Sequence, residues 1–170
     1  MHAFAVVLVP HYEVHASLRP PEARDAAALA RLDTLLCRFE QPEDQAWGVD
    51  HGEGFKFDWW EVGGNWSGWG RNLRALMRKQ RLRPSRRPIP RCLERNAVWS
   101  EDLGRVRLGA AVFPLAVVTP HGDWEECAVW PGWGKPTVRE RKAKAAWLRR
   151  IRRLMWAYPG CLAVGVDYHS

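Results

Sequence analysis

Tryptophan most constrains this chain, because a domain of 170 residues cannot fully bury eleven indole rings. Four of the rings lie within residues 59–69 and three more within residues 124–133. Most of them are expected to build the hydrophobic core, since large aromatic side chains dominate burial in a small domain. Rings that stay partly exposed can line a groove for a flat or extended ligand.

The remaining composition indicates one globular domain that spans residues 1–170. With 46% hydrophobic and 26% charged residues, the chain does not fit the disordered, collagen-like or coiled-coil classes. No apolar run approaches the roughly 18 residues that a membrane helix requires. The longest run, Ala3–Val9, lacks the basic start and the cleavage site of a signal peptide. We therefore expect a cytoplasmic protein that does not contact membranes.

The four cysteines do not form a metal-binding or disulfide pattern. They stand at positions 37, 92, 127 and 161, with no C-x-x-C pair. A zinc ribbon needs closely spaced ligand pairs, and a disulfide scaffold needs a denser set of cysteines. We interpret them as reduced, mostly buried thiols, and we expect no metal and no cofactor.

Strand-like and helix-like segments alternate along the chain. They predict an α+β fold, in which a mixed or mostly antiparallel sheet packs against two or three helices. The segments predicted as strands are His2–Val9, Phe55–Val62, Ala97–Trp99, Ala110–Thr119, Trp124–Trp130 and Cys161–Asp167. The segments predicted as helices are Pro21–Phe39, Arg71–Arg83 and the residues that follow Thr137. Polar, Gly- or Pro-containing loops are predicted at Gln41–Gly54 and Pro131–Pro136.

The last helix has the clearest sequence signals. Thr137 and Glu140 match a capping box, in which a hydroxyl and a carboxylate each accept a backbone amide of the first turn. Pro159 and Gly160 are expected to end the helix. Its predicted core face is Trp147, Leu148, Ile151, Leu154 and Met155, opposite Arg149, Arg150, Arg152 and Arg153. The core face predicted for the first helix is Leu29, Leu32, Leu36 and Phe39.

Positive charge is concentrated in two stretches. The net charge of +7 combines −6 in residues 1–70, +9 in residues 71–95 and +4 in residues 96–170, where a second basic run spans Arg139–Arg153. Arginine suits bidentate contact with phosphate, so the runs indicate either a surface for nucleic acid or an ordinary solvated surface. The residues expected to bind nucleic acid or a partner are Arg78, Lys79, Arg81, Arg83, Arg86, Arg87, Arg149, Arg150 and Arg153.

A Pro/Arg-rich loop is predicted at residues 82–96, within the single domain. Pro84, Pro88 and Pro90 exclude regular helix or strand there, because proline lacks the backbone donor. This segment is the strongest candidate for a mobile loop.

The block Asp58–Trp69 holds the densest group of polar and aromatic side chains. Its double glycine permits positive φ and a close approach of the backbone, as in turns that present amides to an anion. We therefore predict ligand or anion binding at Gly63, Gly64, Asn65 and Trp66. The block lacks the P-loop and G-x-G-x-x-G patterns, and a tight aromatic turn without a ligand explains it equally well.

The end of the chain supplies a second group of candidate residues. Asp167 and His169 project to one face of an extended strand, where they can form an acid–base pair or share a metal with further ligands. If the protein is an enzyme, the predicted catalytic residues are Asp58, Glu61, Asp167 and His169. A structural or exposed histidine is the alternative interpretation.

Three segments resemble a family of small uncharacterised phage and prophage proteins. Asp58–Trp69 is similar to their D-W-[YW]-x-[IV]-G-G-R-W-[ST]-G block, Thr119–Glu125 to their T-P-D-G-x-W-x-E turn, and the ending Val166–His169 also fits. The chain departs from the pattern at Asn65, where the family has Arg, so a role of that Arg in anion binding does not carry over. The resemblance implies a mobile-element origin in a bacterial host, without an established activity.

These observations favour a binding protein over an enzyme. The leading hypothesis is a phage accessory protein that binds nucleic acid or a host nucleoprotein complex, as an inhibitor of host defence. One alternative is an enzyme that acts on a phosphate- or nucleotide-containing substrate through an acidic and histidine-lined cleft. The other is a protein-binding module that uses an exposed tryptophan patch.

Overall fold

The computed structural model describes residues 2–10, 20–40, 56–57, 59–108, 114–129 and 136–169. The strands are β1 (His2–Pro10), β2 (Trp59–Val62), β3 (Ala97–Trp99), β4 (Ala116–Val118), β5 (Trp124–Glu126) and β6 (Cys161–His169). The helices are α1 (Pro21–Leu36), α2 (Trp69–Lys79), α3 (Ser100–Arg105) and α4 (Val138–Ala157), with short 3-10 turns at Cys37–Phe39, Gly64–Trp66 and Arg91–Leu93. The predicted α+β class is confirmed.

The six strands form one mixed, mostly antiparallel sheet. Its order is β2-β6-β1-β4-β5, and β3 also pairs with β6. β1 and β6 pair antiparallel over their whole nine-residue length, whereas β1 and β4 are parallel. β2 and β3 lie end to end along the outer edge of β6 and meet at Gly165, whose carbonyl accepts from Gly63 and whose amide donates to Asn96. A turn of three residues joins α4 to β6.

Both faces of the sheet are covered by helices. On one face α1 packs over alternate residues of β1 and β6, with Leu32, Leu35 and Leu36 in contact with the sheet. On the other face α2, α3 and α4 share a second core. The central strands are therefore apolar on both sides, which explains why β1 reads as a continuous apolar run without alternation.

The predicted helices are confirmed, with changed boundaries. α2 ends four residues earlier than expected, because Arg81 adopts a left-handed conformation with φ of 58°. Leu29, which was predicted to face the core, is 41% exposed, and Leu35 is buried in the core instead. α3 was missed, since six residues are too few to show a helical period.

The predicted strands are also present, although several are shorter. β4 and β5 form the expected hairpin but contain three residues each. The Thr137–Glu140 capping box is confirmed. The loops predicted at Gln41–Gly54 and Pro131–Pro136 lie outside the described residues, except for Pro136.

The Pro/Arg segment is attached to α3 by several polar contacts. The Ser85 amide donates to Asp102 at 2.8 Å, and Arg105 donates to the Arg83 carbonyl at 3.0 Å. The Arg87 guanidinium makes two 2.9 Å hydrogen bonds to Glu101 and lies 3.8 Å from the centre of the Trp99 ring. Charged contacts of this kind fix a segment that lacks regular secondary structure.

None of the four cysteines forms a disulfide. Cys127 and Cys161 are buried, as expected, but Cys37 and Cys92 are exposed. Within the part of the chain that the structure describes, no helix is both long and apolar enough to cross a bilayer. α4 has the length, but eight basic side chains and one acidic side chain lie along it.

Candidate functional site

The pairing of β6 with both of its neighbours brings a histidine cluster together. His169 is the direct partner of His2 in β1 and of Trp59 in β2. The Trp59 and His169 rings are stacked, with centroids 5.8 Å apart and an interplanar angle of 6°. The His2 ring meets His169 edge-on at 5.3 Å. Two imidazoles and one indole thus share one face at the end of the sheet.

A buried carboxylate stands beside this cluster. The Asp167 side chain is 1% exposed, and its Oδ2 accepts from the Asn65 amide at 2.9 Å. The His2 Nδ1 lies 3.2 Å from the same oxygen, whereas Oδ1 is buried without a hydrogen-bond partner. Because a carboxylate that binds one ring nitrogen fixes the tautomer, Nε2 of His2 becomes the nitrogen that can accept a proton from a ligand. The His2 side chain is 46% exposed, so the imidazole is partly open to solvent.

The double-glycine turn holds this carboxylate in place. Gly64 has φ of +43°, and a Cβ there would lie 2.5 Å from Asp167 Cβ, so the position requires glycine. The amides of Gly63, Asn65 and Trp66 donate to Gly165, Asp167 and Gly63, respectively. These three amides are used within the fold and are not available to an external anion.

The structure brings most of the predicted site residues together. Glu61 is the cross-strand partner of Asp167 and is exposed on the same face. Trp66 is 37% exposed and contacts the Phe4 ring at 5.2 Å. Asp58 lies outside the described residues. Among the residues that are described, no group of three or more His, Cys, Asp or Glu side chains has a geometry that could hold a metal ion.

His2 and Trp59 were missed by the sequence analysis. Both belong to the cluster only because β6 pairs with β1 on one edge and with β2 on the other. Tyr168 lies between Asp167 and His169 but faces the opposite core, where burial raises its pKa. The alternation of β6 indicates which of its residues share a face, whereas the identity of the neighbouring strands is a long-range property.

Exposed positive charge covers the solvent face of α4. Arg139, Lys142, Arg149 and Arg153 are all exposed and follow one another at spacings of three, seven and four residues. None of them has an acidic partner among the described residues. Helical residues at these spacings lie on one side, so their charges form a single stripe.

Two of the predicted partner-binding arginines are engaged within the fold. Arg87 pairs with Glu101, as described above. Arg150 makes a bidentate pair with Glu125 of β5, and this hydrogen bonding raises the pKa of Arg150. The remaining predicted residues are exposed: Arg78, Lys79, Arg81, Arg83, Arg86, Arg149 and Arg153.

Arg107, which the sequence analysis missed, and Arg152, which it placed on the solvent face of the last helix, connect the two basic stretches. The Arg107 amide and carbonyl both hydrogen bond to the Gln80 side chain at the end of α2, each at 3.0 Å. Arg107 and Arg152 line the same small cavity between α3 and α4, with Leu103 and Ile151 as part of its apolar wall. The basic end of α2 and the basic stripe of α4 therefore lie on the same side of the sheet, with Arg107 between them.

No family model, curated protein or solved structure matches this chain. The phage-protein resemblance stays a prediction.

Proposed function

We propose that the protein binds nucleic acid through the basic surface formed by the end of α2 and the solvent face of α4. The observation that carries this proposal is the position of Arg107. It adjoins Gln80 in one direction and Arg152 in the other, and so joins two basic stretches that lie far apart in the sequence.

The exposed cations on this surface are suited to contact phosphates. Arg139 and Arg153 are separated by about 21 Å along α4, at 1.5 Å per residue. Because these cations have no acidic partner among the described residues, a phosphate backbone can contact them without breaking an internal ion pair. Release of the counterions condensed on nucleic acid then favours binding and makes it sensitive to salt.

The test compares two double charge reversals with the same change in net charge. In the first variant, Arg149→Glu and Arg153→Glu alter the stripe on α4. In the control, Arg38→Glu and Arg91→Glu alter exposed residues beside α1, on the other side of the sheet. Binding of labelled oligonucleotides is measured at several salt concentrations.

We expect the α4 variant to lose affinity by about tenfold or more at low salt. The slope of log K against log salt should fall by about 1.4 for single strands or about 1.8 for duplexes, since two phosphate contacts are lost. The control should bind as the wild type does. Equal binding by the α4 variant and the wild type would refute the proposal, as would salt-insensitive capture of one host protein in place of nucleic acid. Inhibition of host defence is a separate prediction that requires the nucleoprotein target.

A second candidate function is favoured by the His2–Asp167 contact. A histidine oriented by a buried carboxylate is the arrangement of a general base, and His169 beside it can serve as the acid. The substrate class proposed for this site is a phosphate- or nucleotide-containing ester. Glu61 and the exposed indoles of Trp59 and Trp66 border the same site.

This candidate is tested by turnover of a panel of phosphomonoesters, phosphodiesters and nucleotides. If the His2–Asp167 pair is catalytic, Asp167→Asn and His2→Gln should each lower turnover by about 100-fold or more. Asp33→Asn, on the exposed side of α1, is the matched control and should leave turnover unchanged. Absence of turnover over the panel, or full activity of Asp167→Asn with a native circular dichroism spectrum, would reject the enzyme hypothesis.

A further inference from the structure

The C-terminal end of α4 carries a shallow groove that none of the sequence motifs identified. Its lining consists of Arg149, Arg152, Arg153, Trp156 and Ala157. Trp156 is 52% exposed, the most exposed indole among the described residues. Three arginines and one exposed indole therefore line a single open groove.

Trp156 is supported from one side by α3. A Cβ on Gly104 would lie 3.3 Å from both Cε2 and Nε1 of the indole, so the ring rests against the glycine backbone. Support of this kind limits the rotamers of an exposed ring and lowers the entropy lost when a ligand stacks on it. The other two exposed indoles differ, because Trp59 is stacked on His169 and Trp66 packs against Phe4.

We propose that this groove binds one unpaired nucleobase of single-stranded nucleic acid, stacked on Trp156, while Arg149 and Arg153 contact the flanking phosphates. This inference rests on the proposed function and specifies its ligand. Every nucleobase has a π-face that an aromatic side chain can stack on. In a duplex these faces are covered by neighbouring base pairs, so the indole discriminates in favour of a single strand.

The probes are a 12-nucleotide oligo(dT) and a 12-base-pair duplex, each titrated against wild type, Trp156→Ala, Trp156→Phe and, as the control at an exposed apolar residue of α1, Leu29→Ala. Trp156→Ala should weaken binding of oligo(dT) by about 5- to 150-fold, the range for loss of one stacked base. Its salt slope should not change, because no phosphate contact is removed. Trp156→Phe should restore most of the affinity, Leu29→Ala should bind normally, and duplex binding should be the same for all four proteins.

The outcomes separate this inference from the proposed function. If Trp156→Ala binds oligo(dT) as the wild type does while the Arg149 and Arg153 double variant binds weakly, the stacking inference is overturned and the nucleic-acid function stands. If Trp156→Ala weakens single strands and duplexes equally, the selectivity for single strands is refuted. If neither variant changes binding, both proposals fail.

Discussion

The charges of the α4 stripe are exposed to water, whereas the carboxylate in the cluster around Asp167 is buried. The arginines of the stripe stay in water, and the described residues offer them no acidic partner. The Asp167 carboxylate is removed from water and is held by an amide and an imidazole. A solvated charge contributes little to stability and remains available to a ligand, whereas a buried charge must be satisfied by the fold. The arginines of α4 can therefore be replaced with little effect on stability, whereas Asp167 is required both by its site and by the fold.

The comparison is tested most strongly by alanine substitution in each region. Asp167→Ala should lower the free energy of unfolding by about 3 kcal/mol, because it removes the acceptor of two groups at a buried position. Arg149→Ala should change it by less than about 0.5 kcal/mol. Urea denaturation measures both, and similar midpoints for the two variants would contradict the distinction.

Two glycines with positive φ differ in how closely they pack, and only one of them contacts the buried carboxylate. Gly64 and Gly160 both have positive φ, but only Gly64 is packed against Asp167, and no atom lies within 4 Å of a Cβ on Gly160. Gly160→Ala should therefore cost about 1 kcal/mol of backbone strain, and Gly64→Ala about 1 to 3 kcal/mol more through steric overlap. Thermal unfolding of the two variants gives the comparison, which fails if Gly160→Ala is the less stable.

Glu101 provides a prediction on pH dependence. Burial alone would raise its pKa, but the backbone hydrogen bonds and the charge and hydrogen bonds of Arg87 outweigh burial and hold the pKa below its ordinary value. A lowered pKa in the folded state adds stability above the unfolded value, about 4.3, and this stability is lost as the pH falls through the folded pKa. The stability difference between the wild type and Glu101→Gln should therefore shrink from pH 6 towards pH 3. A constant difference would show that the Arg87–Glu101 pair does not stabilise the Pro/Arg segment.

The smallest expected difference is in the rates at which the two exposed thiols, Cys37 and Cys92, are alkylated. Although Cys92 is exposed as a residue, its sulfur is partly buried, and this burial and the nearby Asp25 raise the pKa of Cys92 to about 12, so it carries almost no thiolate at pH 8. Cys37 should therefore be alkylated by iodoacetamide before Cys92, as peptide mass mapping would show. Faster modification of Cys92 would indicate that its contact with α1 opens in solution.

The sequence predicts local features of this fold better than long-range ones. The capping box at Thr137, the end of α4 near Pro159 and the β4–β5 hairpin depend on neighbouring residues, and all three are confirmed. His2 joins the candidate site through the β1–β6 pairing, across more than 160 residues, and no local pattern encodes that pairing. Arg87 and Arg150 show the same limit, because their acidic partners come from other elements.

The short turn from α4 into β6 links the two candidate regions through a single strand. β6 follows the basic helix after a turn of three residues and ends at His169, so one strand connects the two candidate regions. β6 is bonded along both edges, and a slip of one residue would turn every side chain to the opposite face. A slide of β6 by one residue would therefore disrupt both candidate regions together, because the same strand holds His169 at one end and follows the basic helix at the other.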